Sequence, residues 1–127
     1  MKTEKFFNGI NEKYQTNKAE TEKDIKSFVS KTFGKDTDTL WEKGAQKMIV
    51  GSILYFLDKH ELSLKNIREL FVLNELNNSR QKVVYKNLKK ASKEVQVYFV
   101  GIVDAADPTF KGYVGILKSY VDILENL

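Results

Sequence analysis

Apolar and polar residues alternate with the period of an α-helix in every long segment of the chain. The pattern predicts a short amphipathic helix near the start, with four apolar residues on one face: Phe6, Phe7, Ile10 and Tyr14. After a joint at residues 15–18, a second helix is predicted around Ile25, Val29 and Phe33, ending near Gly34. Alternating β-branched runs are scarce. The sequence therefore predicts an all-α protein, a compact helical bundle of about five to seven helices.

The central helix is predicted over residues 40–60, after a helix-start signal at residues 36–39. Thr39 is its expected N-cap, and Glu42 lies at the third helical position, as in a capping box. Residues 48–57, MIVGSILYFL, are apolar almost all round, which is typical of a helix in the middle of a core. Gly44 and Gly51 share a face and cost about 1 kcal/mol each relative to alanine, so we expect a close helix crossing there.

Three further segments complete the predicted bundle. Ser63 is expected to cap a short helix that buries Ile67, Leu70 and Phe71, followed by a polar break at residues 74–78. A long helix is predicted over residues 81–106, and it ends there because the residue before Pro108 avoids the α region. The last helix, from Pro108 or Thr109, carries an apolar seam of alternating four- and three-residue spacing: Phe110, Val114, Leu117, Val121 and Leu124.

Composition narrows the classes of protein. A chain of 127 residues with 42% hydrophobic residues predicts a single domain over residues 1–127, in which residues 1–35 are a more polar helical lead-in. The absence of cysteine and the single histidine exclude a disulfide scaffold, a thiolate zinc site and a multi-histidine metal site. No segment has the ~20 apolar residues of a membrane span, and the start does not resemble a signal peptide. We expect a cytoplasmic protein without a cofactor or a bound metal.

The most specific feature is a basic segment, residues 80–93, that contains six cationic residues and no acid. On a helix, five lysines fall within an arc of about 100°: Lys82, Lys86, Lys89, Lys90 and Lys93. The opposite side carries Val84, Leu88, Ala91, Val95, Phe99 and Ile102. Such a stripe suits a phosphate backbone or an acidic protein surface, and the scarcity of arginine argues against base reading. The alternative interpretation is a solvated face of a lysine-rich protein.

Other residues are weaker candidates. His60, near Asp58 and Glu61, could hold a metal or act as an acid or base, but a histidine there more often interacts with a helix C-terminus. Four tyrosines could stack on bases, although helical spacing favours half-buried rings with solvated hydroxyls: Tyr85, Tyr98, Tyr113 and Tyr120. Asp104 and Asp107 are expected to cap helix ends, and Trp41 and Met48 to lie in the core. The common phosphate-loop, serine-hydrolase and zinc-protease motifs are missing, so no catalytic residue is predicted and the chain is not expected to be an enzyme by itself.

Several segments together resemble the all-α domain of TraG/TraD-like coupling proteins, the ATPases of conjugative type IV secretion systems. The similar segments are DTLWEKGAQ at residues 38–46, MIVGSILYFL at 48–57, SLKNIREL at 63–70, YFVGI at 98–102 and the helix that starts with Thr109 and Phe110. Asp24, Ile25 and Phe28 resemble the lead-in helix of that family. The resemblance covers residues 19–127 and is carried by the order and spacing of the segments. Leu40 and Thr39 depart from the phenylalanine and proline usual in the family.

The resemblance implies a role in plasmid transfer. The parent protein would be a homo-hexameric ATPase anchored at the cytoplasmic membrane, which brings a relaxase–DNA complex to the secretion channel. The all-α domain would be an insertion in its nucleotide-binding domain, would face the cytoplasm without direct membrane contact, and would recognise the substrate. Its partners would be the relaxase or accessory proteins of the relaxosome, and the five lysines would be a candidate surface for these proteins or for DNA.

Two other hypotheses stay open at this point. The chain could be a stand-alone helical DNA-binding accessory protein of a plasmid or phage, for which the same lysines and the net charge of +4 are the support. A helical enzyme that uses His60 with carboxylates is the third hypothesis, which the missing motifs disfavour.

Overall fold

The computed structural model describes residues 2–34, 39–71 and 79–127, without the side chains of residues 79 and 80. Over these ranges the protein is an all-α bundle, as predicted, and no strand occurs in them. The described ranges contain seven α-helices: α1 (Lys2–Thr16), α2 (Lys18–Phe33), α3 (Leu40–Asp58), α4 (Leu64–Phe71), α5 (Ser79–Lys89), α6 (Lys93–Gln96) and α7 (Asp107–Glu125). A single-turn 3-10 helix, Val97–Phe99, follows α6 directly. The expected polar break at residues 74–78 and the start signal at residues 36–38 lie outside the described residues.

Local capping explains most of the helix ends. The Thr39 side chain accepts a hydrogen bond from the Glu42 amide at 3.1 Å, which confirms the predicted N-cap of α3. Ser63 accepts from the Asn66 amide at 3.0 Å in the same way before α4. Gly34 ends α2 with a φ of 101°, a backbone conformation that glycine adopts without a steric penalty. The positions of these three helix ends are therefore determined by hydrogen bonds between residues no more than four positions apart.

Helix α3 lies at the centre of the bundle and is buried from Met48 to Leu57. It packs against α7 along the predicted seam, all five residues of which are buried. Helices α1 and α2 pack against each other, and α2 lies against α3. The two α3 glycines lie under aromatic rings, with Gly44 facing Tyr113 and Gly51 facing Phe99, which confirms the close approach expected there.

Two expectations about the core and the helices are wrong. Trp41 is 42% exposed, because it lies in the first turn of α3, at the edge of the bundle, with its ring against Gly112 and Tyr113. The long helix predicted over residues 81–106 is divided into α5, α6 and the 3-10 helix, and residues 101–105 form turns. Among the helices of the described ranges, none has the length and apolar character that crossing a membrane requires.

Candidate partner-binding surface

Helix α5 displays the lysines on the outside of the bundle because its other side is anchored in the core. Val84 and Leu88 are buried, and Val95 and Phe99 continue this anchor beyond the end of the helix. All five predicted lysines are exposed, and we call them the basic surface: Lys82, Lys86, Lys89, Lys90 and Lys93. The amphipathic pattern of α5 accounts for the exposure of Lys82, Lys86 and Lys89.

The sequence predicts that the basic surface lies on a single helix, and this prediction is wrong. Lys82, Lys86 and Lys89 belong to α5, whereas Lys90 lies in the following turn and Lys93 begins α6. The chain turns there because Ser92 accepts a hydrogen bond from the Val95 amide and so starts a new helix.

Gln96 holds the break between the two helices in place. Its side-chain amide donates to the carbonyl oxygens of Lys89 at 3.2 Å and Ala91 at 2.7 Å. In a continuous helix each of these carbonyls would accept a hydrogen bond from the backbone amide four residues later. The helix breaks here, and the Gln96 side-chain amide donates to them instead. A side chain that bonds to the backbone in this way leaves no local pattern, which is why helical periodicity alone predicts one continuous helix.

The charges of the basic surface are not neutralised within the described part of the chain. Ion pairs elsewhere join cations and acids at 2.5–4.0 Å, as between Lys13 and Asp24 or Arg68 and Asp122. None of the five lysines has such a partner among the described residues. Lys89 lies over the Tyr85 ring instead, with Nζ 4.6 Å from the ring centroid. The surface therefore presents positive charge that an anionic partner can neutralise.

A groove runs beside α5, between this helix and residues 99–107, and we call it the Tyr85 groove. It consists of two depressions of about 160 and 470 Å³ that share Tyr85, Val103 and Asp104. Its apolar lining is Tyr85, Leu88, Phe99, Val100 and Val103. Its polar lining is Gln81, Lys82, Lys89, Gln96, Asp104 and Asp107.

Gln81 holds the two walls of the Tyr85 groove together. Its side-chain amide donates to the carbonyl oxygens of Val103 at 3.1 Å and Ala105 at 2.7 Å. The sequence does not single out Gln81 or Gln96, because both glutamines bond to backbone atoms. Backbone acceptors have no residue signature in a sequence, so no pattern could have indicated these hydrogen bonds.

A second basic depression lies on the other side of α5. Lys90 and Asn87 line it together with Lys59 and Tyr55 from α3 and its C-terminal end. Lys59 Nζ lies 5.1 Å from the centroid of the Tyr55 ring. The fold thus adds Lys59, which is distant in sequence, to the edge of the basic surface. Asp58 lines the same depression and accepts hydrogen bonds from Tyr14 and Ser92.

Of the weaker candidates that the sequence offers, the histidine lies at a helix end and three of the four tyrosines lie in the packed bundle. His60 follows the C-cap residue Lys59 with a φ of 59°, and its backbone amide donates to the Leu57 carbonyl. The expectation of half-buried rings is wrong for Tyr98, Tyr113 and Tyr120, which are buried in the packed bundle.

The two aspartates do not cap helices in the expected way. The N-cap of α7 is Ala106, which makes no side-chain cap bond, and Asp107 is the first residue of the helix and pairs with Lys111 at 3.1 Å. Asp104 lines the Tyr85 groove.

Within the described ranges, no group of three or more histidine or acidic side chains could hold a metal ion. The groups of this surface supply charge, hydrogen-bond donors and apolar area, which are the components of a binding site.

Comparisons of the chain with protein-family models, with curated proteins and with solved structures find no match.

Proposed function

We propose that this chain is a non-catalytic recognition domain that binds an anionic macromolecular partner through the basic surface. The observation that carries the proposal is the grouping of five exposed lysines on and directly after α5, none of which has an ion-pair partner among the described residues. Holding like charges close together without ion pairs does not stabilise the monomer. Lys82 also lies in the N-terminal half of α5, where the helix dipole disfavours cations, whereas Lys86 and Lys89 lie in its last turn. A partner with negative charge relieves both costs.

We further propose that the parent protein is a coupling ATPase of a conjugative type IV secretion system. The order of the similar segments along the chain supports this assignment, and the position of the chain ends is compatible with it. The Lys2 amide donates to the Leu127 carbonyl at 3.1 Å, and the Thr3 hydroxyl donates to the Leu124 carbonyl at 2.6 Å. Adjacent ends are common in single domains, and they are compatible with insertion into a loop of a host domain.

In this proposal the domain faces the cytoplasm and recognises the relaxase, an accessory protein of the relaxosome, or the DNA that they carry. The ATPase activity and the membrane anchor belong to other parts of the homo-hexameric parent. The alternative is a stand-alone helical DNA-binding protein of a plasmid or phage, which the same basic surface supports. The flanking coding sequence separates the two, because only the first predicts half of a phosphate-loop ATPase on each side.

Charge reversal at the basic surface tests the proposal. We expect Lys82, Lys86, Lys89 and Lys93, changed together to glutamate, to weaken the binding of polyglutamate or short DNA by about tenfold or more. With DNA, the salt dependence should also become shallower, by about 0.9 in the log–log slope for each phosphate that the variant no longer neutralises. Fluorescence anisotropy with labelled probes at two salt concentrations measures both quantities, and pull-down of purified relaxase extends the test to a protein partner.

A matched control has the same change in net charge at other places. Lys5, Lys23, Lys31 and Lys47 are exposed residues of α1, α2 and α3. Their reversal to glutamate should leave most of the binding intact. If both sets of reversals weaken binding equally, or neither does, the basic surface is only a solvated face and the proposal is wrong.

A further inference from the structure

We infer that the basic surface and the Tyr85 groove together bind an amphipathic acidic helix of a protein partner. This inference rests on the proposed function and names the class of partner. The apolar face of the helix occupies the groove, and its acidic residues lie along one edge, against Lys82, Lys86 and Lys89 on α5. Helix-in-groove recognition combines an apolar anchor with a charged edge in this way.

The groove offers apolar area that a purely electrostatic site does not need. Val100 lines it and is 74% exposed, although its neighbour in sequence, Phe99, is buried. Tyr85 and Val103 extend the apolar lining through both depressions. Exposed valine beside a concave apolar lining gains free energy when a partner covers it, at roughly 25 cal/mol per Å² removed from water.

The length of the groove suits a short helix. Lys82 and Lys89 line its two parts and are seven residues apart on α5, which corresponds to about 10 Å along the helix axis. Two turns of a partner helix have the same length and place apolar side chains at positions i, i+4 and i+7 on one face. The lysine at the middle of this span, Lys86, is also exposed.

The distribution of charge favours a protein over a nucleic acid. The wall that faces α5 carries Asp104 and Asp107. A phosphate backbone is negative along its whole length and would meet Asp104 at the same time as the lysines, which costs free energy through like-charge repulsion. An amphipathic helix can place its acids on the lysine side alone. Asp107 already pairs with Lys111, so Asp104 is the main obstacle to a polyanion in the groove.

The groove is formed before any partner binds. The Gln81 amide joins α5 to the Val103 and Ala105 carbonyls, and the Gln96 amide holds the end of α5 through the Lys89 and Ala91 carbonyls. A preformed site loses less conformational entropy on binding than a site that must be ordered.

Three labelled probes and two valine variants test the inference. The probes are a designed amphipathic peptide with leucine on one helical face and glutamate along one edge, a scrambled peptide of identical composition, and a short single-stranded DNA. The variants are Val100→Glu, in the groove, and Val97→Glu, its control. Val97 is 56% exposed and lies three residues earlier, but it does not line the groove. Because both valines are exposed, both variants should fold, which thermal unfolding checks.

We expect the amphipathic peptide to bind at least about tenfold more tightly than the scrambled peptide, because only its apolar face fits the groove. Val100→Glu should remove about tenfold or more of that affinity, and Val97→Glu should change it by less than about twofold. Equal binding of the two peptides, equal effects of the two variants, tighter binding of the DNA, or no binding of the amphipathic peptide would each overturn the inference.

The lysine reversal separates this inference from the proposed function. If that variant still weakens polyglutamate or DNA binding while the amphipathic peptide shows no preference for the groove, only the inference is wrong. If the reversal leaves the binding of every probe unchanged, the proposed function is wrong as well.

Discussion

At the scale of single residues, two glycines allow aromatic side chains to lie directly on the backbone of α3. A Cβ atom at Gly44 would be 2.2 Å from Cε1 of Tyr113, and one at Gly51 would be 2.6 Å from Cε2 of Phe99. The sequence predicts a close approach at both positions. It does not reveal that the two glycines contact different elements, α7 and the 3-10 helix.

We predict that Gly51→Ala lowers the free energy of unfolding by about 1–3 kcal/mol or more, because the added methyl group overpacks the contact with Phe99 and Tyr98. Gly115 is the control, since it lies in α7 with no atom within 4 Å of an added Cβ. Gly115→Ala should raise the free energy of unfolding by about 0.5–1 kcal/mol through helix propensity. Urea unfolding measures both, and two changes of the same sign would contradict the packing described for α3.

At the scale of elements, two tyrosine–carboxylate hydrogen bonds fasten the helices to one another. Tyr14 of α1 donates to Asp58 at the end of α3, and Tyr98 of the 3-10 helix donates to Glu22 of α2. Burial, and then the hydrogen bond to the neighbouring carboxylate, raise the pKa of both phenols above the usual value of 10.0. The folded state therefore holds these two protons at a pH at which the unfolded chain releases them.

This difference in pKa predicts alkaline instability. The stabilisation from each tyrosine is complete below pH 10.0 and is lost as the pH rises further, because the unfolded chain then binds fewer protons than the folded one. Tyr98→Phe removes one of the two groups. We expect its stability deficit relative to the wild type to shrink between neutral pH and about pH 11, as measured by urea unfolding at each pH. A deficit that stays constant or grows with pH would contradict the role of the Tyr98 proton.

At the scale of the whole molecule, the first and last helices bring the two ends of the chain next to each other. Helices α1 and α7 meet where the Lys2 amide and the Thr3 hydroxyl donate to carbonyls at the end of α7. The first and last elements thus lie at one place on the surface of the bundle. This geometry is compatible with the proposed insertion into a host domain, in which both connections leave from the same side.

We predict that backbone cyclisation through a short Gly–Ser linker raises the thermal midpoint. Closing adjacent ends restricts mainly the unfolded chain, with an upper limit of about 5 kcal/mol for a loop of this size. The control is the linear protein with the same linker at its C-terminus. A midpoint equal to or below that of the control would show that the two ends do not lie together in solution.

Local sequence was sufficient for much of the fold. The helical period, the Thr39 and Ser63 caps and the Gly34 terminus depend on interactions between residues a few positions apart. A short stretch of sequence is therefore enough to predict them. The apolar seam of α7 also followed from spacing, because a helix with one apolar side must bury that side. The exposure of the five lysines was predicted for the same reason.

The tertiary structure decided where α5 ends and what surrounds the lysines. Gln96 and Gln81 bond to backbone carbonyls across turns, Lys59 reaches the basic surface from α3, and Asp104 faces it across the groove. The Gln81, Lys59 and Asp104 contacts join residues that are distant in sequence and meet only in the folded bundle, whereas the Gln96 bonds span five and seven residues. Periodicity reports which side of a helix is apolar, whereas the neighbours of that helix depend on how the whole chain folds back on itself.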